Sequence, residues 1–157
     1  MKTLSAKPAF TLVEILIVIM MIGIFSTGFA ISYSNSQKKV TFESDKEKVL
    51  SIIQKARNLS LTNLMVNDKQ ADYYYLEAGT ASITLTGYDI DAGTSEIDSL
   101  TFSSGITASP AFNVKYYPPY GTVTFDANTH GMILTDGTGN NASTITISEF
   151  GGFANAT

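Results

Sequence analysis

The hydrophobic rhythm of the chain changes twice along its length. From Phe10 to Ile31 apolar residues run almost without interruption, and Glu14 is the one charged side chain among them. As a helix rising about 1.5 Å per residue, such a stretch is long enough to cross roughly 30 Å of hydrocarbon. Pro is absent from it, while Gly23 and Gly28 each weaken the helix by about 1 kcal/mol relative to Ala. After Ile31 the apolar residues become periodic. Val49, Ile52, Ile53, Ala56, Leu59 and Ser60 recur at helical spacing in a segment free of Gly and Pro up to Asn67. This predicts an amphipathic second half over 32–67, with one face that needs a cover.

Downstream the period falls to two. Residues 72–77, 81–88, 100–103, 112–117, 122–126, 132–134 and 144–149 are rich in Thr, Ile, Val, Tyr and Phe and are separated by Gly, Asn, Asp or Pro. They read as about six or seven short strands of an antiparallel sheet within 68–157. Asp136-Gly137 and the run from Asn128 to Gly131 read as turns in which Gly supplies a positive φ. Pro118-Pro119 forces an extended or turn break beside Tyr116 and Tyr117. The helix face and the apolar side of the sheet each need a cover, so the expected fold is α+β, a long N-terminal helix packed on an antiparallel sheet.

Length and charge narrow the picture further. The 157 residues leave room for one compact domain after the N-terminal segment. The net charge is −4, but beyond Lys69 the only Lys or Arg is Lys115, whereas acids continue from Asp72 to Glu149. An acidic domain repels phosphate backbones, which argues against nucleic acid as a partner. The absence of Cys excludes disulfides and thiolate metal sites.

Candidate chemistry is sparse. Asp89, Asp91, Glu96 and Asp98 invite a calcium reading because oxygen-rich loops suit that ion. The EF-hand spacing fails there, since Gly93 stands where a ligand belongs and Thr94 where Gly belongs. Asp126, Asn128 and Gly131 match three positions of the same spacing, but Gly137 occupies the place of the bidentate Glu. Both read as acidic turns, so no metal or cofactor is expected. His130 is the only histidine, with neither a thiol partner nor a nucleophilic Ser motif nearby, and reads as a turn residue. Gly137 and Gly139 lie between short strands without a following helix, unlike a phosphate-cradling loop. The chain is not expected to be an enzyme. Tyr73, Tyr74, Tyr75, Tyr116, Tyr117 and Tyr120 suit the surface and core of a sheet, or a subunit contact or adhesive face.

The first nine residues, with Lys2 and Lys7, resemble the basic region of an export signal. Three readings of the N-terminus compete. A secretory signal could be cut after Ala30, since Gly28 and Ala30 are small, although a carboxylate at Glu14 opposes insertion by about 2 kcal/mol. A plain signal anchor would place Glu14 at the interface. The third reading rests on Ala9-Phe10-Thr11-Leu12-Val13-Glu14 followed directly by Ile15-Leu16-Ile17-Val18-Ile19. That hexapeptide resembles the prepilin peptidase motif of type IV pilin-like proteins. The resemblance implies that 1–9 is a leader removed on the cytoplasmic side, between Ala9 and Phe10. Phe10 would then be the N-methylated first residue, 10–31 the transmembrane and filament-core helix, and Glu14 the fifth residue of the mature chain. The family usually has Gly before the cut, where this chain has Ala9. Because a carboxylate in an apolar bundle is costly unless paired, Glu14 would answer the free amine of Phe10 on an adjacent subunit during assembly.

A finer likeness lies further along. The segments 55–63, 121–131 and 144–152 are similar to those of minor pseudopilins of the GspH/FimT type. That resemblance implies a subunit of a type II secretion pseudopilus or a type IV pilus. Its partners would be the prepilin peptidase, other pilin or pseudopilin subunits and an inner-membrane assembly platform. Its place would be a single pass through the inner membrane with the C-terminal domain outside, then a periplasmic or extracellular filament. The alternative is a membrane-anchored binding module at a filament tip, an adhesin or a DNA-uptake receptor. The C-terminal end, 151–157, lacks the basic residues through which some members bind DNA. Lys38, Lys39, Lys46 and Lys48 outnumber Lys2 and Lys7, so charge counting alone would invert the protein. Glu43, Asp45 and Glu47 are interleaved with those lysines, and the orientation follows from the leader motif, which must face the cytoplasm.

Overall fold

The computed structural model describes residues 11–62, 65–66, 69–126 and 128–157. One long helix, α1, runs Leu12–Thr62. Its start is set by Thr11, whose carbonyl and Oγ1 accept the Glu14 N–H at 3.1 and 3.3 Å. Thr followed three residues later by Glu is the capping-box spacing, and it puts an acid at the positive end of the helix dipole. The helix continues across Gly23 and Gly28. It ends at Thr62, short of position 67, to which the expected amphipathic half runs. Beyond it, β1 (Met65–Val66) pairs antiparallel with β2 (Lys69–Gln70), Val66 opposite Lys69.

The chain forms two compact units, Met1–Lys38 and Lys39–Thr157. The described part of the first is helical from Leu12 onward. The second holds the rest of α1 and the strands β3 (Tyr73–Ala78), β4 (Ser82–Asp89), β5 (Gly93–Thr101), β6 (Ile106–Ser109), β7 (Phe112–Tyr117), β8 (Thr122–Phe125), β9 (Gly131–Asp136), β10 (Ala142–Ile147) and β11 (Ala154–Ala156). They make a five-stranded antiparallel sheet in the order β5-β4-β3-β7-β8 and a four-stranded one in the order β11-β10-β9-β6. The single sheet expected from the sequence is thus divided into these two and the separate β1–β2 pair, because alternation shows which residues face the core and not which strands pair. The strand over 100–103 is the end of the longer β5. A register shift in its pairing, between Leu85 and Thr86, breaks the alternation through which strands are recognised.

One core unites these parts in the second unit. Phe42, Val49, Ile52, Ile53 and Ala56 of α1 pack with Tyr74, Leu76, Leu85, Val114 and Tyr116 of the five-stranded sheet and with Met132, Leu134, Ile145 and Ile147 of the other. The fold is α+β, a long N-terminal helix packed on antiparallel β-structure. Gly139, with φ at 72°, carries the positive φ of the β9–β10 turn that the sequence assigns to Gly137. Gly131 is needed for a different reason: a Cβ there would collide with the Ile145 carbonyl on the paired strand.

Candidate functional site

The first unit presents a helix surface with few polar groups. Leu12, Val13, Ile15, Leu16, Ile17, Val18, Ile19, Met20, Met21, Ile22, Ile24, Phe25 and Phe29 are all exposed. The hydroxyls within this stretch are satisfied by the helix itself. Ser26 Oγ donates to the Ile22 carbonyl at 2.7 Å, and Thr27 Oγ1 lies 2.9 Å from the Ile24 carbonyl and 3.1 Å from that of Gly23. With backbone and hydroxyls paired internally, a helix can sit in hydrocarbon. By length and composition, α1 can cross a membrane. Glu14 is exposed in the first turn and borders a shallow hollow of about 270 Å³ lined with Ile15, Val18 and Ile19. Ala9 and Phe10, the expected cleavage and methylation positions, lie outside the described residues.

The second unit separates residues that the sequence clusters. Asp89 accepts the N–H groups of Asp91 and Ala92 at 2.9 and 2.6 Å, the local bonding of an acidic turn. Glu96 and Asp98 instead stand on β5, where Asp98 pairs with Lys55 of α1 at 2.6 Å. Asp126 pairs with Lys115 at 3.1 Å and accepts the Tyr75 hydroxyl at 3.2 Å. His130 lies between β8 and β9, with Nε2 3.2 Å from Glu149. Among the described residues no three His, Cys, Asp or Glu side chains are grouped to hold a metal ion. Four of the interleaved charges near Lys46 form two pairs: Lys46 with Glu43, and Lys48 with Asp45 at 3.5 Å.

The tyrosines of the second unit divide into three groups. Tyr74 and Tyr116 are core, and burial pushes the pKa of both phenols up. Tyr73, Tyr75 and Tyr117, with Tyr88, stand half-buried on the other face of the five-stranded sheet, whereas Tyr120 is 82% exposed in the β7–β8 loop. Alternation along β3 produces the division, since successive side chains point to opposite faces. Tyr73 lies opposite Tyr88 and stacks on it with ring centroids 4.6 Å apart.

Two features escaped the sequence reading. Asp45 is a buried carboxylate on the core face of α1, and its signal was an acid in phase with Phe42 and Val49. Arg57 lies towards the C-terminal end of α1. Its Nε donates to the Gly151 carbonyl at 2.7 Å, and its guanidinium sits 3.9 Å above the Phe153 ring. Alongside, Tyr116 Oη approaches the Gly152 carbonyl at 3.4 Å, and a hollow of about 250 Å³ is bordered by Gln54, Arg57, Asn58 and Phe153. No protein-family model, no curated protein and no solved structure matches this chain.

Proposed function

We propose that the chain is a pilin-like filament subunit, of the minor pseudopilin kind, held in a membrane by α1 and assembled through it. The observation that carries this reading is the long exposed apolar surface of the first unit with a single carboxylate, Glu14, in its first turn. An apolar surface of that extent needs lipid or other helices as cover. Moving from lipid to neighbouring helices exchanges one apolar environment for another, so packing and polar pairing must favour the assembled form. Glu14 is the side chain able to supply that pairing, with the terminal amine of Phe10 on an adjacent subunit as its partner.

On this reading a prepilin peptidase cuts between Ala9 and Phe10, Phe10 is N-methylated, and an inner-membrane platform feeds the subunit into a type II secretion pseudopilus or a type IV pilus. The domain 39–157 then lies outside the cytoplasmic membrane, in the periplasm or on the cell surface, and does no catalysis. Intact mass of the native protein tests the proposal. A chain beginning at Phe10 and bearing one methyl group is expected; a secreted chain beginning at Ile31, its helix removed, would overturn it.

A further inference from the structure

The outer face of the five-stranded sheet carries a pocket that the assembly reading leaves unused. Tyr73, Tyr75, Thr86, Tyr88, Thr94 and Lys115 line a hollow of about 410 Å³, within the roughly 300–1,000 Å³ of small-ligand sites. The rings are fixed in place. Tyr73 stacks on Tyr88 with the planes 18° apart and meets Tyr117 at 5.8 Å between centroids. Lys115 Nζ lies 5.7 Å from the ring centroids of both Tyr73 and Tyr75.

The lining narrows the chemistry of an occupant step by step. The one cation is already neutralised by Asp126 at 3.1 Å, so a phosphate or other anion finds a compensated charge and a carboxylate beside it. A hydrocarbon ligand would strip water from the threonine hydroxyls, the phenols and the ion pair and offer no hydrogen bond in return. A peptide cannot add here as a strand, because β3, β4 and β7 are interior strands already paired on both sides. What remains is a neutral molecule with an apolar face and a rim of hydroxyls. The geometry points to a neutral oligosaccharide, its pyranose C–H faces against the tyrosine rings and its hydroxyls on Asp126, Lys115, Thr86 and Thr94. Aromatic rings supply rigid apolar area with a polar tip, which suits such a ligand. Burial raises the pKa of Tyr73 and Tyr75 above the ordinary 10.0, so both phenols stay protonated donors at neutral pH. This proposal does not depend on how the chain is anchored or assembled.

The test is saturation-transfer NMR on the full chain in a detergent without a sugar head group, using cellotetraose, maltotetraose and chitotetraose, with a sulfated heparin tetrasaccharide as the anionic control. Transfer to ring protons of at least one neutral sugar is expected, and at least tenfold less to the heparin fragment. Tyr88→Ala should weaken binding at least tenfold. Thr94→Arg, at an exposed position on the rim, should do the same while leaving the amide spectrum of the domain intact. No transfer to any neutral sugar, preference for heparin, or unchanged binding by folded Thr94→Arg would overturn the proposal. So would loss of self-association in Tyr88→Ala in the absence of sugar binding, which would assign the face to a second copy.

Discussion

Asp45 Oδ2 accepts the backbone N–H of Ser103 at 2.7 Å and so ties the helix to the segment leaving β5. The carboxylate is only 1% exposed, and its other oxygen has Lys48 at 3.5 Å, on the solvent side. A buried acceptor of this kind acts as a registry pin, because α1 cannot slide along the sheets without separating Asp45 Oδ2 from the Ser103 N–H and leaving that N–H unpaired. Asp45→Ala strands the Ser103 N–H and should cost about 1–3 kcal/mol. Asp45→Asn, which retains an acceptor, should cost less. Urea unfolding of both variants in detergent checks the order, and equal stability of Asp45→Ala and wild type would remove the pin.

The C-terminal segment is latched to the helix by Arg57. Arg57→Ala loses both the bond to the Gly151 carbonyl and the contact with the Phe153 ring, and should lower stability by about 1–3 kcal/mol. Arg57→Lys should recover little of it, because an ammonium supplies neither the Nε donor nor the flat face. Beneath the latch, Gly152 has φ at 64°, and a Cβ there would strike the Tyr116 ring and come within 2.9 Å of Val123 Cγ1. Gly152→Ala should therefore cost about 2 kcal/mol or more, combining strained backbone with overpacking. Limited proteolysis near 148–153 reports release of the segment in each variant.

Asp136 gives the domain an acid limit. Burial pushes its carboxyl up, but donation from the Asn141 and Thr138 side chains and from the Asn141 and Asn140 N–H groups outweighs that and holds the pKa at about 2, against an ordinary 3.8. A carboxyl depressed in the folded state contributes stability above the unfolded pKa, and the contribution disappears as pH falls through the folded one. Unfolding midpoints should thus drop between about pH 4 and pH 2. Asp136→Asn should be less stable than wild type near pH 6 and should flatten the dependence in that window. Parallel curves for the two proteins across the window would contradict this assignment.

Much of the fold was legible in the sequence because burial has a period. Val49, Ile52, Ile53 and Ala56 marked the core face of α1, and the buried alternation of β3, β4, β7 and β10 followed their Tyr, Ile, Leu, Val and Thr patterns. Elements too short or too irregular to show a period were missed. β6 has four residues with only Ile106 and Ala108 turned inward, and β11 has three. At the candidate site Glu14 stood out as the lone charge in an apolar run. Its capping geometry with Thr11 was equally present as Thr-x-x-Glu, but the more unusual reading of the same residues masked it. The tyrosine pocket was not visible, because it needs β4 folded back on β3 and β7 beside them, and pairing is long-range information.

Glu14 has two local reasons to be where it is, and they can be separated. Its backbone N–H is capped by Thr11, a bond that any residue at position 14 except proline can make. The carboxylate adds favourable charge at the helix start and, in the proposed assembly, a partner for the amine of a neighbouring chain. Glu14→Gln keeps the length and hydrogen-bonding capacity of the side chain and removes only the charge, whereas Glu14→Ala removes all three. If the charge pair sets the register, both variants should enter the membrane like wild type and both should be depleted from filaments. A charge-assisted hydrogen bond contributes about 1.5–3 kcal/mol, so the depletion should be about tenfold or more. Co-expression with tagged wild type, followed by quantification of each form in membrane and filament fractions, reads this directly. Incorporation of Glu14→Gln at the wild-type level, with Glu14→Ala depleted, would show that hydrogen bonding at the helix start suffices and that no amine answers the carboxylate.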